Sequence, residues 1–160
     1  MNSTSDLAIV EPHYVNFHIT YTSTHLAWFQ FFKKNKIDIE PVLIYIHEEC
    51  VICFVDPIVY QEILRKWNDY LKFGNAKPYF HIRFIKFSQE LKEIIENWYF
   101  SIKDLEVSIE FNQNSFEILL NAPKKFRKFL IGRHGKEIEM LVSFLENCIA
   151  GNFEYSLKIN

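Results

Sequence analysis

The sequence predicts an α+β fold, and three observations carry that prediction. Apolar residues recur with a period near 3.6 in some stretches and near 2 in others, and the two periods alternate along the chain. Hydrophobic residues make up 49% of the 160 positions and aromatics 17%, enough to fill a core. Glycine and proline number only 4 and 5, which excludes a low-complexity chain. At this length roughly 68–70% of the unfolded surface is buried on folding, in one ordinary domain or two small ones. Two parts are expected. Residues 88–160 read helix-strand-strand-helix-helix-strand, and residues 1–87 form an α+β N-terminal extension packed on them.

In the extension, residues 41–55 read as two apolar strands around His47-Glu48-Glu49. Residues 57–72 look helical, residues 74–78 make the one obvious loop, and residues 79–87 alternate as a further strand. Upstream, Trp28, Phe29, Phe31 and Phe32 crowd together. Such aromatics can stack on bases in RNA-binding modules, but packing in a core or against a partner is the stronger reading. The sequence shows no internal repeat and no flexible linker.

The pattern is cleaner from residue 88 onward. Ser88 is a good N-cap, and Leu91, Ile94, Ile95 and Trp98 follow at i, i+3, i+4 and i+7, the stripe of an amphipathic helix. After a turn at 101–104 the period changes: Leu105, Val107, Ile109 and Phe111 alternate with Glu106, Ser108, Glu110 and Asn112, a half-buried strand. Asn112-Gln113-Asn114 is a hairpin turn, and Phe116, Ile118 and Leu120 make the returning strand, closed by Pro123. A short helix then carries Phe126, Phe129 and Leu130 on one side, and Gly132 ends it. Beyond Gly135 a longer helix shows Ile138, Leu141, Val142, Leu145 and Ile149 on one face, with a stop at Gly151-Asn152. Phe153, Tyr155, Leu157 and Ile159 alternate as the last strand. Glu106, Glu110 and Glu117 make the exposed face of this sheet acidic, unsuited to RNA and suited to a basic protein neighbour.

Several function classes fall away. No run of about 18 uncharged apolar residues exists, so no helix is expected to span a bilayer. The first basic residue is Lys33, which leaves neither a secretory n-region nor an Arg-rich presequence ahead of it, so the chain is expected to work where it is made. Phe, Ile, Lys, Asn and Tyr number 70 against 18 for Gly, Ala, Arg and Pro, the signature of an A/T-rich gene such as an organelle's own genome carries. The three cysteines, Cys50, Cys53 and Cys148, are an odd count unsuited to a disulfide framework. Cys50-Val-Ile-Cys53 has the spacing of a metal knuckle, but no second pair completes four ligands, and the apolar neighbours favour a buried strand. His13, His18, His25, His47 and His81 lie singly, with no catalytic triad spacing and no phosphate loop of G-x-x-x-x-G-K type. No enzyme, metal or cofactor is expected.

The charge is unevenly placed. Lys124, Lys125, Arg127, Lys128, Arg133 and Lys136 lie in the segment 123–136 with no acidic residue among them. Six of the 18 basic residues are there, leaving 12 against 20 acidic residues elsewhere, a balance of −8. Local charge of this kind guides a polyanion more than net charge does. Within the segment, Gly132-Arg133-His134-Gly135 joins two predicted helices. In KH domains a G-x-x-G loop in that place lets bare backbone approach about four single-stranded nucleotides. The alternatives are a plain helical corner, a solvated basic face or a protein-docking patch. The candidate RNA-binding residues are therefore Gly132, Arg133, His134, Gly135 and Lys136, with Lys124, Lys125, Arg127 and Lys128.

The order helix-strand-strand-helix-helix-strand resembles a type II KH domain. More particularly, residues 91–147 and 153–160 resemble the N-terminal KH region of the small-subunit ribosomal protein S-three family. The resemblance rests on Ile109-Glu110 in the first strand, Ala122-Pro123 after the second, and the run from Ile131-Gly132-Arg133-His134-Gly135-Lys136 through Ile138 to Leu141. Upstream, YTSTHLAWFQFFKKN is similar to the family's early Ser-x-Trp-Phe segment, with looser spacing. The chain departs from the family by inserting Lys-Lys-Phe-Arg-Lys between the Pro and the Ile-Gly, by placing His134 where Lys or Arg is common, and by an enlarged middle section at 37–85. It also stops at Asn160, where the family continues into a second domain. The resemblance implies a structural constituent of the small ribosomal subunit, holding ribosomal RNA of the head near the messenger entrance among other small-subunit proteins. Together with the A/T-rich composition it leads us to expect a mitochondrial ribosome, with plastid or cytoplasm as alternatives, and a second polypeptide supplying the missing domain unless the lineage lost it. The alternative is a free-standing KH factor in RNA processing or ribosome assembly.

Overall fold

The computed structural model describes residues 12–74 and 80–160. It is an α+β protein that divides into two compact units, Thr20–Phe87 and a second unit formed by residues 12–19 with Ser88–Asn160. Among the described residues no helix is long and apolar enough to cross a membrane.

In Thr20–Phe87 the elements are helix α1 (Ser23–Lys34), strands β1 (Leu43–His47) and β2 (Cys50–Val55), helix α2 (Tyr60–Phe73) and strand β3 (His81–Lys86). Helix α1 was not legible as such. It starts where the Thr22 backbone N–H donates to His25 Nδ1 at 3.1 Å, and burial lowers the His25 pKa, favouring the neutral ring that can accept. Strands β1 and β2 are the two strands expected around His47-Glu48-Glu49, and they pair antiparallel, turning at Glu48 with φ 55°. Helix α2 then carries the chain across, so that β3 returns parallel to β2 in the order β1-β2-β3. Asp56 starts that crossover by accepting from the Ile58 N–H at 2.9 Å, with Pro57 following where a missing N–H costs nothing. Trp28 and Phe32 of α1 and Ile63 and Trp67 of α2 pack with Ile44, Val51, Cys53, Val55 and Phe84 as one aromatic-rich core. The aromatic cluster at 28–32 thus serves mainly as core, with Phe29 and Phe31 half-buried against it. Cys50 and Cys53 fall on opposite faces of β2, as a period of 2 requires, and burial pushes the Cys53 thiol far up. The loop expected at 74–78 falls largely outside the described residues.

The second unit contains α3 (Leu91–Trp98), β4 (Glu106–Asn112), β5 (Ser115–Asn121), a 3₁₀ turn (Lys124–Phe126), α4 (Arg127–Ile131), a second such turn (Arg133–Gly135), α5 (Lys136–Cys148) and β6 (Glu154–Ile159). The expected element order is present. Gln113 and Asn114, at φ 50° and 68°, supply the paired left-handed residues that a two-residue hairpin between twisted strands needs. Strand β6 returns parallel to β5, giving a mixed sheet β4-β5-β6. Val107, Ile109, Phe116, Ile118 and Leu120 face the core with Leu91, Ile94, Ile95, Trp98, Leu141, Phe144 and Leu145. On the other face Glu110 stands directly opposite Glu117, with Glu106 also exposed.

Four details differ from the sequence expectation. Residues 12–19 run with the C-terminal unit: Tyr14 bridges Glu90, Phe17 bridges Ile149, and the Leu91 N–H donates to the His13 carbonyl at 2.9 Å. The N-cap of α3 is Glu90, whose carboxylate accepts from the Glu93 N–H, while Ser88 Oγ accepts from the Glu90 N–H at 3.1 Å. Helix α5 ends at Cys148 and not at Gly151, because Ile149 turns extended to pair with Phe17. Its buried face is Met140, Leu141, Phe144, Leu145 and Cys148, and Ile138 and Val142 lie at its margin. Finally, of Phe126, Phe129 and Leu130 only Leu130 is buried.

Candidate nucleic-acid interface

The segment between β5 and α5 is built from its sequence in three steps. Pro123 holds φ at −53° and opens the 3₁₀ turn, and α4 then runs for five residues only. Gly132 ends it at φ 78°, donating its N–H to the Lys128 carbonyl at 2.9 Å. The chain then reverses through Arg133, His134 at φ 57° and Gly135 at φ 73°, with the Gly135 N–H donating to the Gly132 carbonyl at 3.1 Å. Two consecutive left-handed residues make a corner too tight for a continuous helix.

The two glycines serve different ends. A Cβ on Gly132 would stand 2.6 Å from the Glu137 Cβ and 2.7 Å from its backbone nitrogen, so α5 can start there only against a bare backbone. A Cβ on Gly135 would meet nothing within 4 Å. Gly135 therefore answers to its left-handed φ alone, and the space beside it lies open. As the N-cap of α5 it provides no side-chain oxygen to the first helical N–H groups, the arrangement in which a helix N-terminus accepts an external anion.

Every side chain of the predicted basic set is exposed: Lys124, Lys125, Arg127, Lys128, Arg133, His134 and Lys136. All nine predicted site residues lie between the first 3₁₀ turn and the first residue of α5, with no acidic residue among them before Glu137. Two positioning residues were missed. Tyr99 Oη donates to the Leu130 carbonyl at 2.9 Å, fixing the end of α4 from within the core. Trp98 Nε1 donates to Glu137 Oε2 at 2.6 Å, fixing the start of α5. The last residue of α3 and the one after it thus hold the two sides of the corner. Glu137 thus keeps a carboxylate beside the corner, held by the Trp98 indole N–H. Sequence separations of 31 and 39 hide both contacts from any local pattern.

The segment also presents apolar surface. Phe129 is 57% exposed and Ile131 is 40% exposed. Lys125 Nζ lies 5.1 Å from the centroid of Phe126, and Lys128 Nζ lies 5.5 Å from that of Phe129.

No family model matches the sequence, and no curated protein matches it. Among solved structures, one described as "Crystal structure of APE1850" aligns with a TM-score of 0.63 at 14% identity, covering 86% of this chain and all of that one. That likeness is one of fold.

Proposed function

We propose that this chain is an RNA-binding protein of the KH type II kind, gripping single-stranded RNA at Gly132-Arg133-His134-Gly135. One observation carries the reading: an exposed two-glycine corner with open space beside Gly135, in a run of six exposed cations with no acid among them in sequence. RNA strands approach such a corner because backbone N–H groups meet phosphates where no Cβ intervenes, while Arg133, Lys136 and the lysines before α4 neutralise neighbouring phosphates. The protein acts by binding and not by catalysis. The acidic sheet face, where Glu110 faces Glu117, repels the strand and leaves the corner as the favoured approach.

The fuller reading is a structural constituent of an organellar, most simply mitochondrial, small ribosomal subunit that binds ribosomal RNA. Its support is the sequence resemblance to the S-three family around Ile109-Glu110, Ala122-Pro123 and Ile131–Leu141. A free-standing KH factor is the other reading, and sedimentation separates the two: a constituent stays with the small subunit at high salt, and a free factor does not.

The binding claim is tested by titrating the full chain against a labelled single-stranded RNA oligomer across a salt series. If all six basic residues neutralise phosphates, log K falls against log salt with a slope of about −4, from roughly −0.7 per contact. A slope near zero overturns the proposal and leaves the basic stretch a solvated or protein-facing surface.

A further inference from the structure

We infer that the inserted turn before the glycine corner is a second contact for the RNA, with Phe129 as a platform on which one unpaired base stacks. This rests on the RNA-binding reading above and adds to it a site the corner does not contain. Phe129 is a large ring left 57% exposed on a short helix of which Leu130 is wholly buried and Ile131 is 40% exposed. Packing therefore does not account for it. Its ring leans on Phe126 at 6.4 Å between centroids, and each of these rings has a lysine ammonium within 5.5 Å.

An exposed aromatic ring with a mobile lysine ammonium over it has a defined chemical use once the lysine moves from the face to a phosphate. A base stacked on the ring brings its own phosphate toward Lys125 or Lys128, so stacking and charge neutralisation act on the same nucleotide. Phe129 stands three residues before Gly132, so a strand held at the corner passes within reach of it. The partner chemistry is set by charge: a protein surface complementary to Lys124, Lys125, Arg127 and Lys128 would need an acidic patch, but the same cations already border the phosphate-accepting corner. Duplex RNA offers no free base face here, so the platform discriminates in favour of single strands.

The experiment is a double-mutant cycle. Affinity is measured for a labelled twelve-nucleotide single-stranded RNA and for a series in which one base at a time is replaced by an abasic position. Parent chain, Phe129→Ala and Phe129→Tyr are compared. Phe129→Ala is expected to lose roughly 5- to 100-fold in affinity, the range for one stacked base, with an unchanged salt slope because no phosphate contact is removed. Phe129→Tyr retains binding. In the parent one abasic position carries a comparable loss, and in Phe129→Ala that extra loss vanishes. Phe129→Ala binding as tightly as the parent, or losses that simply multiply at every position, overturns the stacking site. The corner is read separately by Arg133→Asp with His134→Asp: if that variant loses RNA while Phe129→Ala does not, the binding reading stands and the platform falls. If neither loses RNA, both fall.

Discussion

The two units of this protein share one plan and differ at one step of it. Each runs helix, antiparallel strand pair, helical crossover, and a third strand lying parallel beside the second: α1-β1-β2-α2-β3 and α3-β4-β5-α4-α5-β6. In Thr20–Phe87 the crossover is a single helix of 14 residues. Two of its cations face acids: Arg65 lies 3.7 Å from Asp69, and Lys66 lies 3.5 Å from Glu62 and 3.0 Å from Asp38. In the other unit the crossover breaks at Gly132-Arg133-His134-Gly135, and its cations have no acid among them in sequence. The same strand order closes with and without the break. The strand order by itself therefore requires neither a break in the crossover nor concentrated charge.

Substitutions at the break sharpen this contrast, and the largest effect is expected at Gly132. Gly132→Ala combines a left-handed φ with a Cβ driven against Glu137, together costing about 2–4 kcal/mol in thermal or urea unfolding. The clash sits against α5, so RNA affinity falls with stability. Full stability in this variant would show that the corner is looser than its geometry. Next comes Tyr99→Phe, which leaves the buried Leu130 carbonyl without its donor and costs about 1–3 kcal/mol. Unfolding curves check the magnitude, and RNA affinity measured well below the transition checks whether α4 still presents its cations. The smallest effect belongs to Gly135→Ala, about 1–2 kcal/mol from φ alone, since the added methyl meets nothing. This variant stays folded and yet binds RNA more weakly, because the methyl occupies the side from which a phosphate arrives. Unchanged affinity in folded Gly135→Ala would place the strand elsewhere.

Much of this was legible in the sequence, for identifiable reasons. The strand at Glu106–Asn112 alternates without interruption, and the paired glycines around Arg133-His134 are local features that need no partner to be seen. Helix α1 was hidden because Leu26, Ala27, Trp28, Phe29, Phe31 and Phe32 spread apolar residues over most of its circumference, although only Trp28 and Phe32 are buried. The end of α5 was placed late because Ile149 continues the apolar stripe but is claimed by Phe17, a tertiary pairing more than a hundred residues distant. The supports of the corner were illegible for the same cause. Trp98 reads as one more apolar residue of its stripe, and nothing near it in sequence announces Glu137. The matching plans of the two units escaped notice because their likeness lies in strand pairing and not in residue pattern.

The most direct test of the central claim is an amide NMR titration of the isotopically labelled full chain with single-stranded RNA. The two crossovers serve as each other's control. The account predicts that shifts concentrate at Lys124–Phe126, along α4 and through Gly132, Arg133, His134, Gly135 and Lys136, while α2 and the acidic face of β4 and β5 stay silent. Shifts centred on α2 or on that sheet face, or none at all at saturating RNA, would contradict it.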